Sequence, residues 1–114
     1  MTLDADLDVN GSLTITDGTL NTGNNDINVA GDWSNSGSFV SGTGKVIFDG
    51  TSNIVTGGTG DSNDFHDVTL SGTVGSQSSA IAIDNDFEIT STGKWYTNCF
   101  AMTVSGDTTE EWIN

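Results

Sequence analysis

Proline and arginine are absent from this chain, and cysteine and histidine occur once each. Each shortage removes a class of answer. A lone Cys99 excludes an intramolecular disulfide framework. Lys45 and Lys94 are the only strong bases against 16 acidic residues, giving a formal charge of −14. Nucleic acid and anionic lipid both need Lys or Arg to displace counterions, so nucleic-acid binding is set aside. No apolar run is long enough to span a bilayer, and the opening MTLDADLD lacks the pattern of a secretory leader. No stretch shows the i, i+3, i+4, i+7 apolar spacing of an amphipathic helix.

What remains is glycine, Thr, Ser, Asn and Asp, interrupted by β-branched and aromatic residues that alternate with polar ones. Such alternation predicts many short strands with frequent turns. Residues 3–9 place Leu3, Ala5, Leu7 and Val9 on one face and Asp4, Asp6 and Asp8 on the other. Asn10-Gly11 and Asp17-Gly18 make turns around a strand carrying Leu13 and Ile15. Further strands are expected at Ile27 and Val29, at 32–33, 38–40, 45–48, 53–55 and 65–70, and weakly at 73–74. Within 65–70, Phe65 is out of phase with Val68 and Leu70, which predicts a bend near His66. Residues 56–64 read as a longer loop.

The chain also resembles itself. Val9 matches Ile83, Leu13 matches Phe87 and Ile15 matches Ile89 at an offset of 74 residues (83 − 9). After the extra Thr92 the match resumes with Gly18/Gly93, Leu20/Trp95, Ile27/Met102, Val29/Val104, Gly31/Gly106 and Asp32/Asp107. The repeated quantity is apolar character, threonine and glycine, with no reactive group among them. This reads as one domain over residues 1–114, with a first repeat unit from about 5–80 and a partial second unit from about 81–114. Stacked coils reuse similar sequence, whereas a sandwich places its strands in unlike environments. The expected fold is therefore all-β: a right-handed parallel β-helix of about four to five coils, each holding three short strands and about 22 to 25 residues. A β-sandwich or jelly roll is the alternative. Repeat-matched residues are expected to point inward in matched stacks.

The string GDWSNSGSFVSGTGKVIFDGTSNIVTGG, followed by FHDVTLSG, resembles repeat units of large bacterial surface and secreted proteins. The positions that carry the likeness are Gly31, Trp33, Asn35, Gly37, Phe39, Gly42, Gly44, Val46, Phe48, Gly50, Phe65, Val68 and Leu70. Such repeats are similar to the β-helical stalks of adhesins, haemagglutinin-like exoproteins and autotransporter passengers. The resemblance implies a right-handed β-helix, an extracellular or cell-surface location, and a structural or adhesive role. TTEEWIN departs from it after Asp107, where a tryptophan strand is expected.

Candidate sites are few. Asp61, Asn63, Asp64 and Asp67 form the best calcium candidate, because calcium takes six to eight oxygens and Asp/Asn-rich loops supply them. Asp84, Asn85, Asp86 and Glu88 form a second cluster. Neither fits an EF-hand or a nonapeptide calcium repeat, and turns use the same residues for local hydrogen bonds. His66 reads as an imidazole tucked at a bend, and Cys99, aligned with Asn24, as a corner or semi-buried thiol. No nucleophile motif or glycine-rich phosphate loop is present, and a polysaccharide lyase would bring Arg or Lys to an acidic sugar. No catalytic residue or cofactor is expected, calcium aside, and the chain reads as non-enzymatic. Trp95 aligns with the inward Leu20, so core packing is expected there and Tyr96 should point outward. The first strand begins by Leu3 and Trp112 stands near the other end, leaving no room for a capping helix. End-to-end self-association is accordingly expected through Leu3, Ala5, Leu7 and Val9 at one end and Met102, Val104, Trp112 and Ile113 at the other. The expected role is a subunit of an extracellular filament or stalk. A carbohydrate-binding adhesin module that engages cell-surface polysaccharide, and a phage-fibre or virion-decoration component, are the alternatives.

Overall fold

The computed structural model describes residues 1–57, 60, 63–96 and 98–105; Trp112 and Ile113 lie outside the described residues. Short runs of alternating inward and outward residues, cut every few positions by turns, cannot build long strands. They fold as three-sided coils stacked in parallel. The first sheet runs in the order β1 (Leu7–Val9), β4 (Ile27–Val29), β7 (Lys45–Phe48), β9 (Asp67–Leu70), β12 (Phe87–Ile89). The second contains β2 (Leu13–Ile15), β5 (Trp33–Asn35), β8 (Thr51–Val55), β10 (Thr73–Gln77) and β13 (Lys94–Trp95) in that order. The third side holds β3 (Thr19–Asn21) with β6 (Ser38–Val40), and β11 (Ile81–Ile83) with β14 (Met102–Val104). Single bridges from Thr2 to Asn21 and from Phe65 to Ile83 extend that side. Every strand pair is parallel, so the fold is a β-solenoid of about five coils and not a sandwich.

Register is carried by the inward residues. On the first sheet Leu7, Ile27, Val46, Val68 and Phe87 stack in one column, and Val9, Val29, Phe48, Leu70 and Ile89 in the next. Successive members of the first column are 20, 19, 22 and 19 residues apart. The coil is thus shorter than the expected 22 to 25 residues. The bend expected at His66 is the corner between Phe65 on the third side and β9 on the first sheet.

The 74-residue match does not align with this register. Ile15 lies on the second sheet and Ile89 on the first; Val9 lies on the first sheet and Ile83 on the third side. The matched apolar residues all point inward, but they never stack on one another; Gly106 and Asp107 lie outside the described residues. The offset spans three whole coils plus two further sides, because 74 is not a multiple of the roughly 20-residue coil. Residues 3–9 are likewise not one strand. The chain bends at Asp4 and Ala5, and only Leu7–Val9 joins the first sheet.

The core closes around aromatic rings brought from all three sides. Trp33 meets Phe39 at 4.8 Å and Phe65 at 5.2 Å between ring centroids, both near edge-to-face, and Phe48 completes the cluster. Trp33, Phe39, Phe48 and Phe65 are fully buried. Each such pair adds about 0.5–1.5 kcal/mol beyond area burial. Between the first and second sheets the backbones of adjacent coils approach so closely that a Cβ would collide. A methyl at Gly72 would strike the carbonyl oxygen of Gly50, and one at Gly50 that of Ala30.

Candidate functional site

Several of the carboxylates that invite a metal or an acid–base reading are engaged in backbone capping. On the first sheet the residue preceding each inward column is Asp6, Asp26, Lys45, Asp67 and Asp86 in successive coils. Asp6 Oδ1 accepts the Asp26 N–H at 2.9 Å, Asp26 Oδ1 accepts the Lys45 N–H at 2.9 Å, and Asp67 Oδ1 accepts the Asp86 N–H at 3.0 Å. The second sheet repeats the device: Ser12 Oγ accepts from Asp32 N–H, and Asp32 Oδ1 from Asn53 N–H. Each side chain satisfies the corner N–H of the next coil, a donor that bends out of the sheet ladder. This column marks the coil period, and its sequence signal is a short capping residue directly before an inward-x-inward triplet. Asp6-Leu7-Asp8-Val9, Asp26-Ile27-Asn28-Val29, Asp67-Val68-Thr69-Leu70 and Asp86-Phe87-Glu88-Ile89 all carry it.

The calcium candidates divide among separate tasks. Asp61 lies outside the described residues. Asn63 Oδ1 accepts from Asn35 Nδ2 at 3.1 Å, and Asp64 Oδ1 accepts from Gly60 N–H at 2.7 Å. Asp67 serves the next coil, taking Asn85 Nδ2 at 2.8 Å as well as the Asp86 N–H. Among the described residues no three acidic, His or Cys side chains converge as a metal site would require. His66 Nδ1 lies 3.2 Å from Asp67 Oδ1, a contact that becomes an ion pair only when the imidazole is protonated. Of the acidic row, Asp6 is the cap just described, while Asp4 and Asp8 are exposed.

The aromatics fall as their alignment predicts. Trp95 packs inward against Phe48 and Phe87, with Nε1 donating to Gln77 Oε1 at 3.1 Å; Tyr96 is exposed. Cys99 is an exposed corner residue with φ 68°, close to the 70° of its match Asn24. No helix among the described residues is long and apolar enough to cross a membrane.

The ends of the stack differ from its middle. Among the described residues, β1 and β2 pair on one side only, as do β12, β13 and β14. At the first coil a cavity of about 470 Å³ opens among Met1, Leu7, Val9, Leu13, Ile15 and Leu20. Leu7 and Val9 are half-buried there, as are Leu3, Met102 and Val104, whereas Ala5 is exposed at the bend. Ala5 is thus not part of the inward row in which the alternation placed it.

The open edges also differ in phase. Leu7 N–H bonds to Asp26 C=O and Ala30 N–H to Val9 C=O, so the inward residues of β1 face β4 and Asp8 faces the open side. At β12, Val68 N–H bonds to Asp86 C=O and Thr90 N–H to Leu70 C=O, which turns the backbone groups of Phe87 and Ile89 away from β9. The second sheet repeats this, with Leu13 and Ile15 bonded inward at one end and Lys94 and Tyr96 bonded back at the other. One end offers the backbone of outward residues and the other that of inward residues. That is the relation between any two neighbouring coils inside the molecule.

No protein-family model matches the chain, and neither does any curated protein or solved structure.

Proposed function

We propose that the chain is a non-enzymatic structural module, a β-solenoid subunit of an extracellular filament or stalk that assembles end to end. The observation that carries this reading is the complementary phase of the two edges that the described strands leave unpaired. A second copy brought head to tail meets the first coil as its own second coil does. Phe87–Ile89 of one molecule then lies along Leu7–Val9 of the next, and the 470 Å³ mouth is closed by apolar residues. Such contact is heterologous and continues as an open filament when the rotation does not close. The −14 charge keeps flanks apart while the ends join. The likeness of residues 31–70 to surface-protein repeats supports the extracellular setting.

Sugar binding has one feature in its favour, the exposure of Tyr96 and Phe100 at the last corner. Trp95 turns inward and so forms no groove with Tyr96.

Sedimentation velocity across protein concentration tests the assembly reading. Species larger than a monomer should grow with concentration, and more so at about 1 M salt, where the screening length falls to about 3 Å. A chain that stays monomeric throughout contradicts it.

A further inference from the structure

Most asparagine side chains in this fold are tied down. Asn24 Oδ1 accepts the Thr43 N–H, Asn25 Nδ2 donates to the carbonyls of Leu3 and Thr22, Asn53 Nδ2 donates to Asp32 Oδ1, and Asn85 Nδ2 to Asp67 Oδ1. Among the described residues, the side chains of Asn10, Asn28 and Asn98 make no hydrogen bond. Asn28 precedes the branched Val29 and Asn98 precedes Cys99, but Asn10 precedes Gly11.

Asn10 stands at the corner between the first and second sheets, directly after Val9. Ala30, Asp49 and Ser71 hold the same corner place in the following coils. Asn10 is exposed, and so is Asp49, although β7 has a strand on either side of it. Exposure therefore belongs to the corner itself, in the middle of the stack as at Asn10. Asn10 and Gly11 lie outside β1 and β2, so no strand ladder holds Asn10 extended.

We propose that Asn10 is a site of spontaneous covalent modification, in which Gly11 supplies the nucleophile. The Gly11 amide nitrogen gives its proton to a solvent base and attacks Asn10 Cγ. The new N–Cγ bond closes a cyclic imide, the Cγ–Nδ2 bond breaks, and ammonia leaves. Water then opens the imide at either carbonyl, giving an ordinary aspartyl residue or a β-linked one with an extra carbon in the main chain. Either product moves the formal charge from −14 to −15 (−14 − 1). Glycine permits the attack because it has no Cβ to obstruct the turn. Asp49-Gly50 reacts more slowly, since a carboxylate must gain a proton before it can leave as water. The reaction is independent of end-to-end assembly.

The folded chain is held in mildly alkaline buffer, and samples are separated by charge and mapped by peptide to distinguish the aspartyl and β-linked products. A species more acidic by one charge should accumulate, modified at residue 10, with Asn28 and Asn98 intact. Gly11→Ala should slow its appearance at least about tenfold (about 1.4 kcal/mol in barrier). A Cβ at Gly11 meets nothing within 4 Å and its φ is not left-handed, so that variant is expected to fold. The same chain unfolded in urea supplies the reference rate. If the folded chain keeps Asn10 intact over a period in which the unfolded chain converts it, the inference is overturned. Equal conversion in parent and Gly11→Ala overturns the attack by Gly11.

Discussion

Residues 20–29 and 95–104 share one pattern of apolar anchors and corner and end in different surroundings. Both run from an inward anchor, Leu20 or Trp95, through a corner in left-handed conformation, to a strand carrying Ile27 and Val29 or Met102 and Val104. The corner angles agree: φ is 60° and 70° at Gly23 and Asn24, and 51° and 68° at Asn98 and Cys99. Yet the first corner leads from the third side to the first sheet, and the second leads from the second sheet to the third side. The first lies between coils above and below it, with Thr22 Oγ1 donating to Ser41 C=O at 2.7 Å and Asn25 reaching Leu3. Among the described residues the second is held from one side, by Gln77 Nε2 donating to Ala101 C=O at 2.8 Å, and exposes Tyr96 and Phe100. A corner sequence encodes how the chain turns. Which corner of the prism it occupies is set by the count of residues between corners.

If surroundings outweigh sequence similarity, matched substitutions should differ in cost. The largest difference is expected between Ile27→Ala and Met102→Ala. Ile27 is fully buried between Leu7 and Val46, and its loss should cost about 2–5 kcal/mol. Met102 is half-buried with Ile81 on one side, and its loss should cost about 1 kcal/mol, since only part of a side chain's burial is lost. Urea denaturation of both variants measures this; equal losses would mean that the 74-residue match reflects equivalent environments.

A smaller effect belongs to the capping column. Asp26→Ala removes the acceptor for the Lys45 N–H and should cost about 1 kcal/mol. Asp26→Asn keeps an acceptor oxygen at the same position and should recover most of that loss in thermal unfolding. The matched residue, Ala101, has no side chain to offer, so this contact is absent from the second corner by composition.

The solenoid was legible in the sequence because alternation and turn residues report local geometry directly. Strands at 38–40 and 45–48 coincide with β6 and β7, and Trp95 and Tyr96 take the inward and outward positions their alignment implies. The coil length was not legible from the longest self-match, because that match records corner chemistry recurring at a different corner. Asp6, Asp26, Asp67 and Asp86 hold the true spacing, each before an inward residue, but single aspartates among 16 acids look like surface charge. Ala5 was misplaced for a related reason: alternation continues through Asp4 and Ala5 although the chain bends there. Asn63, Asp64 and Asp67 each accept hydrogen bonds from different partners, the turn role that stands beside the calcium reading in the sequence.

The smallest expected effect sharpens the corner comparison. Cys99→Gly removes a side chain from a left-handed position and should leave stability unchanged or raise it by up to about 1 kcal/mol. Asn24→Gly should gain nothing, because Asn24 Oδ1 also accepts the Thr43 N–H at 3.0 Å. Thermal midpoints of the two variants separate these outcomes.

The head-to-tail joint is tested most directly by mixing two single-cysteine proteins, both in the Cys99→Ser background. If Phe87 of one copy stands over Leu7 of the next, Glu88 stands over Asp8, both outward and within reach of a disulfide. D8C mixed with E88C under mild oxidation should give a mixed dimer in preference to either homodimer, increasingly so with added salt. Cross-linking of D8C with itself, or of E88C with itself, in place of the mixed product would contradict head-to-tail stacking.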